Sequence, residues 1–432
     1  MPLNPIKVLD DAINEYRDYL TTEFRAKDPN LRAALERELD NPGFLAGDIF
    51  FQAHRPFKSG DRWVDLPIDA KLAQVMQQRS RSETTYIHQS EAIKHLRGKD
   101  AGPIVVTTGT GSGKTECFLL PVVQNAIEDA LTFKRSGLTA ILLYPMNALA
   151  NDQLDRVKEL LDGAGFSNVS VAKYDRSTSE DERRKLRENP PHILLTNYMM
   201  LEYLLVRPND REAIFANHRC RFLVLDEVHT YRGTLGSNIA LLVRRVKAHL
   251  ARAKQDWLTD VSGQERERRY PKLVCIGSSA TIKCLDEPGL TPEEAARRRD
   301  DEVKEFFAKL TGSRKDEIKV FGEELEQIHV SESAQYADNY TPLGEINFTD
   351  EESVTDALVR IAGAIGVTSL QEAAERCRLI WDLNGWLIRK PMSIPQLVEA
   401  ARTEVPQWAA WSDEQVAEYV EAGLRLGAVL PD

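Results

Sequence analysis

The stretch Ile104-Val105-Val106-Thr107-Thr108-Gly109-Thr110-Gly111-Ser112-Gly113-Lys114-Thr115 decides the fold. Four β-branched residues in a row read as a buried strand, because a strand covered on both faces needs no polar alternation. The strand runs into a glycine-rich turn, and the apolar segment Glu116 to Val123 that follows suits a helix. Strand, turn and helix together form a phosphate cradle. The glycines let backbone N–H groups converge on an anion, and the new helix turns its positive end toward it. Lys114 is placed to reach the β- and γ-phosphates of a nucleotide, and the Thr115 hydroxyl to bind Mg²⁺. Thr108 stands where the usual pattern has its first glycine, while Gly111 and Gly113 flank the sharpest part of the turn.

Downstream the chain keeps a βα rhythm. Strands are expected at Thr139–Leu143, Val169–Ala172, His192–Leu195, Phe222–Leu225, Leu273–Ile276 and Ile318–Phe321, with helices between them. The charged segment Glu180–Glu188 reads as a solvated helix. Alternation of this kind predicts an α/β fold with a mostly parallel sheet and helices on both faces. In such sheets the working residues gather at the carboxyl ends of the strands. The polar clusters that follow these strands fall there: Tyr144 to Gln153, Thr196-Asn197, Asp226-Glu227-Val228-His229 and Gly277 to Thr281.

Those clusters carry recognisable chemistry. Asp226 after an apolar strand can hold Mg²⁺, and Glu227 can orient and polarise the water that attacks a γ-phosphate. His229 can couple that pair to the hydroxyls of Ser279 and Thr281. Upstream, Tyr86-Ile87-His88-Gln89 leads into an amphipathic helix. The Gln89 amide offers a donor and an acceptor together, which matches the N6/N7 edge of adenine. The cofactors implied are ATP and Mg²⁺.

Order and spacing of these segments resemble the first RecA-like lobe of superfamily 2 DEAD/DEAH-box helicases. Tyr86–Gln89 resembles the Q motif, Thr108–Thr115 motif I, Tyr144–Gln153 motif Ia and Thr196-Asn197 motif Ib. Asp226–His229, here spelled DEVH, resembles motif II, and Ser279–Thr281 motif III. Thr-Gly-Thr-Gly-Ser-Gly-Lys-Thr-Glu, Tyr-Pro-Met-Asn-Ala-Leu and the run Asp226 to Gly233 are similar to the large bacterial YprA/Lhr-like DNA helicases. The likeness covers about residues 85 to 285. It implies an ATP-binding RecA-like P-loop lobe in which Tyr86, Gln89 and residues 108–115 (Thr108, Gly109, Thr110, Gly111, Ser112, Gly113, Lys114, Thr115) bind nucleotide. Lys114, Asp226, Glu227 and His229 would be catalytic, and Thr115 and Asp226 would hold the metal. Pro145, Asn147, Thr196 and Asn197 would hold the phosphates of one nucleic-acid strand, single-stranded or within duplex DNA, without sequence preference. Arg232, Arg244 and Arg245 either extend that track or form a solvated basic helix face.

The flanks carry no chemistry. Residues 1–80 read as a helical accessory region: an amphipathic helix from Ile6 to Phe24, a second over Leu31–Leu39, then a loop-rich segment with Phe50, Phe51 and Phe57, which either dock on a neighbouring domain or, as the second reading, form an exposed recognition patch. Residues 81–330 form the lobe. Residues 331–432 read as an appended helical, winged-helix-like region, with helices at Val354–Ile365, Leu370–Leu383, Ser393–Val405 and Asp413–Leu426. Hydrophobic residues are 42% and charged residues 28% of the 432, a globular composition. The net charge of −11 argues against a protein coated in nucleic acid but leaves room for a local basic groove. Five cysteines without a C-x-x-C pair point to a reduced, cytoplasmic compartment and no structural metal. No apolar stretch reaches membrane-span length.

Such a helicase needs a second RecA-like lobe whose arginines enter the ATP site. Residues 283–432 hold no Gln-x-x-Gly-Arg-x-x-Arg segment, and Arg297-Arg298-Arg299 sits in a Glu- and Ala-rich helical stretch. The second lobe is therefore expected further along a longer polypeptide, or in a partner chain. Two readings follow: the ATP-binding lobe of a DNA helicase or translocase, or a module that binds ATP and nucleic acid as a switch without efficient turnover. An RNA helicase is the variant of the first.

Overall fold

The computed structural model describes residues 5–427 apart from 42–43, 48, 110, 134–135, 216–218, 256–271, 281–290, 328, 345 and 347–349. Contacts group the chain into two compact units, Phe57–Leu325 and Met1–Pro56 with Glu326–Asp432.

The first unit is built on seven strands: β1 (Ile104–Thr107), β2 (Ala140–Leu143), β3 (Val171–Tyr174), β4 (Ile193–Thr196), β5 (Phe222–Leu225), β6 (Val274–Ser279) and β7 (Lys319–Gly322). Their spatial order is β7-β1-β6-β5-β2-β4-β3, and every pairing is parallel. The apolar runs that suggested doubly covered strands are fully buried in β2, β4, β5 and β6. Alternate residues feed two cores. Ile104, Val106, Leu142, Phe222 and Val224 pack under the helix Lys114–Thr132, whereas Val105, Ile141, Leu143, Leu223 and Leu225 face the helix Gly233–Gln255. Each fully buried aliphatic side chain contributes on the order of 1.5–3 kcal/mol. This is the RecA-like P-loop architecture: β1 lies second from one edge, β6 with the Ser-Ser-Ala segment stands beside it, and β5 with the acidic pair follows at the centre of the sheet.

Two local readings hold for stated reasons. Glu180–Glu188 is a helix without a buried residue, opened by a Ser179–Glu182 capping box, with acidic residues in its first turn and basic ones in its last. The helix at Asn147–Gly163 follows the turn after β2 as its apolar spacing required. Residues 57–80, placed by sequence in the accessory region, belong to the sheet unit. Trp63, together with Leu72, Ala73 and Met76 of the helix Ala70–Ser80, completes the first-face core. Phe57 likewise sits in this unit, against Tyr86.

The second unit joins the first 56 residues to the C-terminal helices. Phe50-Phe51 pairs antiparallel with Met392-Ser393, and Phe51 packs on the core of the C-terminal helices. Trp408, Tyr340 and Tyr419 form its aromatic centre, with ring centroids 5.0–5.4 Å apart. The helix expected over Leu370–Leu383 is two, Leu370–Arg376 and Arg378–Arg389. Cys377 is extended between them because the main chain of Gln335 pairs there, accepting from Arg378 and donating to Arg376. Among the described residues no single helix is long and apolar enough to cross a membrane.

Candidate nucleotide site at the carboxyl edge of the sheet

The P-loop leaves β1 with backbone angles that only glycine adopts freely. Gly111 and Gly113 have φ of 82° and 72°. A Cβ on Gly113 would also crowd Gln89 Nε2, so a side chain here would push the Gln89 amide off the Gly113 carbonyl. Thr108, the departure from the pattern, is explained by its hydroxyl. It lies 2.6 Å from Ser112 Oγ, which in turn donates to the Gly109 carbonyl at 2.8 Å. A hydroxyl pair thus cross-links the base of the loop where relatives of the pattern rely on a bare glycine. The Gly109 N–H donates to Glu323 at 3.0 Å, just past β7. Thr110 lies outside the described residues.

Tyr86 and Gln89 are fastened to this loop. Gln89 accepts from the Tyr86 N–H at 2.9 Å and donates from Nε2 to the Gly113 carbonyl at 3.2 Å. Its amide, expected to read a base edge, therefore bonds main chain at both ends. His88 holds the loop from beneath, with Nε2 2.9 Å from the Ser112 carbonyl. Burial lowers its pKa, and the neutral ring donates that bond. Phe57 and His88 lie 5.0 and 5.8 Å from the Tyr86 ring. A cavity of about 310 Å³ opens between these elements, lined by Tyr86, Gln89, Gly111, Gly113, Glu116 and Arg156. Glu116 and Arg156 form an ion pair at its wall.

Lys114 begins the helix, and its Nζ is buried without a hydrogen-bond partner. Asp226 follows β5 as the next residue, its N–H donating to the Leu143 carbonyl at 2.9 Å. Its carboxylate accepts from the Ser278 hydroxyl. Burial raises the Asp226 pKa, the Ser278 bond and nearby Lys114 oppose that, and Glu227 adds to it. Glu227 has φ 51°, one of two non-glycine residues with positive φ among the described residues. Such a conformation costs about a kcal/mol or more and persists where surroundings impose it. Here Ser278 accepts from the Glu227 N–H at 3.2 Å, and His229 Nδ1 stands 3.2 Å from both Glu227 Oε2 and Ser279 Oγ. Glu227 Oε2 is buried without a hydrogen bond. The sequence-selected Lys114, Asp226, Glu227, His229 and Ser279 are thus brought together at one edge. Thr281 lies outside the described residues.

The fit to Mg²⁺ and a triphosphate is chemical. A buried ammonium and a buried carboxylate oxygen, both without hydrogen bonds, are groups that an anion and a polarised water satisfy. Among the described residues no cluster of three His, Cys, Asp or Glu side chains could cage a metal. One carboxylate and one hydroxyl, Asp226 and Thr115, suit an ion that keeps its waters and rests on phosphate oxygens.

The nucleic-acid residues are less uniform. Thr196 is 1% exposed, and its hydroxyl donates to the Tyr174 carbonyl at 2.6 Å, so that side chain faces inward. Asn197 caps the helix Tyr198–Val206, accepting from Met200 N–H at 2.9 Å. Pro145 is half-buried in the turn after β2; the Asn147 side chain lies outside the described residues. Arg244 donates to the Ala240 and Lys309 carbonyls, and Arg245 pairs with Glu202. Sequence reasoning missed Ser278, His88, Glu323 and the pair Tyr144 and Tyr231. Burial and the neighbouring Asp226 raise the pKa of both phenols, which stay protonated. Strand alternation could have flagged Ser278, a hydroxyl in a strand beside the acidic pair; nothing local marks Glu323.

Residues 86–287 match the DEAD/DEAH box helicase family. The Druantia protein DruE of Escherichia coli (strain UMEA 4076-1) is 28% identical over 404 residues, covering 66% of this chain and 21% of that protein. The uncharacterized ATP-dependent helicase YprA of Bacillus subtilis (strain 168) is 34% identical over 192 residues, 44% of this chain and 24% of YprA. Among solved structures, the DUF1998 helicase MrfA bound to DNA is similar with a TM-score of 0.47 and 25% identity, covering 69% of this chain and 34% of that one. The chain carries a superfamily-2, RecA-like helicase domain related to several families of that superfamily, YprA and Lhr among them, and not to one alone. It spans about a fifth to a quarter of the length of these two relatives.

Proposed function

We propose that the chain is the ATP-binding lobe of an ATP-dependent DNA helicase or translocase. The observation that carries this is the convergence on Asp226, beside the P-loop, of buried Lys114 Nζ, which has no hydrogen bond, and of Glu227, whose buried Oε2 has only the His229 ring beside it. Lys114 and the loop amides hold the β- and γ-phosphates, while Asp226 and Thr115 hold Mg²⁺, which supplies charge neutralisation when bound. Glu227 orients the attacking water, and His229 ties Glu227 to Ser279, so that the hydrolytic pair and the Ser-Ser-Ala segment move together. A second lobe, in the same longer chain or a partner chain, brings arginine to the γ-phosphate. Nucleic acid binds across the turns at Pro145, Asn147 and Asn197. The choice of DNA rests on the resemblance of the P-loop, Tyr144–Leu149 and Asp226–Gly233 runs to YprA/Lhr-like DNA helicases. Cys117, Cys220, Cys275 and Cys377 are buried cysteines outside any disulfide, which accords with a reducing, cytoplasmic setting.

The test is a pair of measurements on the purified chain: Mg²⁺–ATP affinity, and turnover with and without single-stranded DNA or RNA. Weak binding and very slow, barely stimulated hydrolysis are expected, because arginine fingers contribute on the order of 10³–10⁵ in rate. Strong DNA-stimulated turnover by this chain alone would refute the two-lobe account, and tighter RNA than DNA binding would refute the choice of nucleic acid.

A further inference from the structure

We propose that Tyr144 and Tyr231 are positioning residues that hold the Asp226 carboxylate, and the water around its cation, from the two faces of the sheet. The inference rests on the nucleotide reading above. Tyr144 is the first residue after β2 and Asp226 the first after β5. The two strands are in register at Leu143 and Leu225, and the Asp226 N–H donates to the Leu143 carbonyl. Tyr144 and Asp226 therefore leave neighbouring strands side by side. Tyr231 follows the turn Val228–Thr230, its N–H donating to the Val228 carbonyl at 3.0 Å. The Tyr144 ring belongs to the core under the P-loop helix, and the Tyr231 ring to the core on the opposite face. Both phenols are near enough to Asp226 for its charge to raise their pKa values.

What sets these two apart is their hydroxyls. Tyr144 and Tyr231 are 1% and 2% exposed, and neither Oη has a hydrogen-bond partner among the described residues. Other buried tyrosines here do find partners. Tyr174 donates to Asp210 at 3.2 Å, and Tyr419 to the Thr341 carbonyl at 2.8 Å. A tyrosine that only fills space loses its hydration for nothing, and phenylalanine would serve that position better. An ionised carboxylate has about four acceptor sites, and Ser278 is the side-chain donor that Asp226 has. Two phenolic donors from opposite faces can take further sites, directly or through a cation-bound water. Outer partners of this kind fix the orientation of a metal-holding carboxylate.

The experiment uses the full chain with a non-hydrolysable ATP analogue and Mn²⁺ in place of Mg²⁺, bound metal being read by electron paramagnetic resonance. Tyr144→Phe and Tyr231→Phe should each weaken Mn²⁺ binding about tenfold, and the double variant further. Their nucleotide affinity in EDTA should match wild type and their melting temperatures should hold or rise, so that the loss is confined to the metal; a merely space-filling role would leave Mn²⁺ affinity untouched. Tyr174→Phe, a remote buried tyrosine, should leave Mn²⁺ affinity unchanged. Mn²⁺ affinity within about twofold of wild type in the double variant, while Asp226→Asn abolishes it, would overturn this inference alone. A wild-type chain that takes up no metal–nucleotide would overturn the underlying reading and this inference with it.

Discussion

The two edges of the seven-stranded sheet bury polar groups in opposite ways. At the amino edge, Asp129 and Arg219 pair at 3.2 Å, the guanidinium lies 4.2 Å over the Phe133 ring, and His192 Nδ1 accepts from the Ser170 N–H at 3.0 Å. Asp129 Oδ2 also lacks a hydrogen bond, but its charge is matched by the Arg219 guanidinium of the same chain. At the carboxyl edge, Lys114 Nζ and the Tyr144 and Tyr231 hydroxyls are buried with no hydrogen bond among the described residues, and Glu227 Oε2 has only the His229 ring beside it. Desolvating such groups costs on the order of 1–3 kcal/mol each, more when charged. A fold tolerates that cost where something else completes the site. The amino edge reads as architecture, and under the proposed function the carboxyl edge is a receptor.

The comparison can be broken by exchanging the expected outcomes. The largest effect should come from Arg219→Ala, which leaves Asp129 without its cation and should cost about 3–5 kcal/mol in chemical denaturation. Nucleotide affinity of the folded protein should not change; a parallel loss would mean that the two edges are coupled. At the other edge, Asp226→Asn should weaken Mg²⁺–nucleotide binding by about tenfold or more, since it removes a charge from the cation's surroundings. Glu227→Gln should leave affinity nearly intact and, in a protein with both lobes, lower kcat with little change in KM. Isothermal titration and single-turnover hydrolysis separate these outcomes.

Thr108→Gly sharpens the comparison inside the P-loop. Restoring the usual glycine removes the Thr108–Ser112 bond and should cost about 1 kcal/mol, with a severalfold loss of nucleotide affinity. Unchanged stability and affinity would show that the hydroxyl pair does not brace the loop. The smallest effect concerns pH. Burial pushes Asp129 up to about 6 and His192 down to about 4. The Asp129 contribution is present below the ordinary carboxylate range and is lost as pH rises through 6. The His192 contribution is present above the ordinary histidine value and is lost as pH falls through 4. Between about 4 and 6 the two slopes oppose each other. His192→Gln should therefore expose a stability that declines as pH rises across that window, read by melting temperature in a pH series. A flat profile would mean that Asp129 keeps its ordinary titration.

Much of this was legible because strand-end chemistry is local. The β-branched run before Gly109 and the apolar run before Asp226 announce strands, and the polar residues after them must lie at the carboxyl edge. What the sequence hid depends on neighbours far along the chain. Ser278 meets Asp226 only because β6 inserts beside β5, and Glu323 reaches Gly109 only because β7 pairs with β1. The inward turn of Thr196 follows from the carbonyl of Tyr174 on β3, twenty-two residues upstream. The break at Cys377 needs the main chain of Gln335, which helical periodicity cannot report. The 57–80 boundary failed similarly, since Trp63 and Leu72 look like any amphipathic pair until the sheet face they cover is formed.

The most direct test of the central claim is Lys114→Ala, followed by both Mg²⁺–ATP affinity and unfolding free energy. The account predicts that nucleotide binding is lost while stability holds or rises slightly, because the change removes a buried cation that has no hydrogen bond in the chain itself. Lost stability with retained nucleotide binding would contradict it, and would place Lys114 with the architecture of the amino edge.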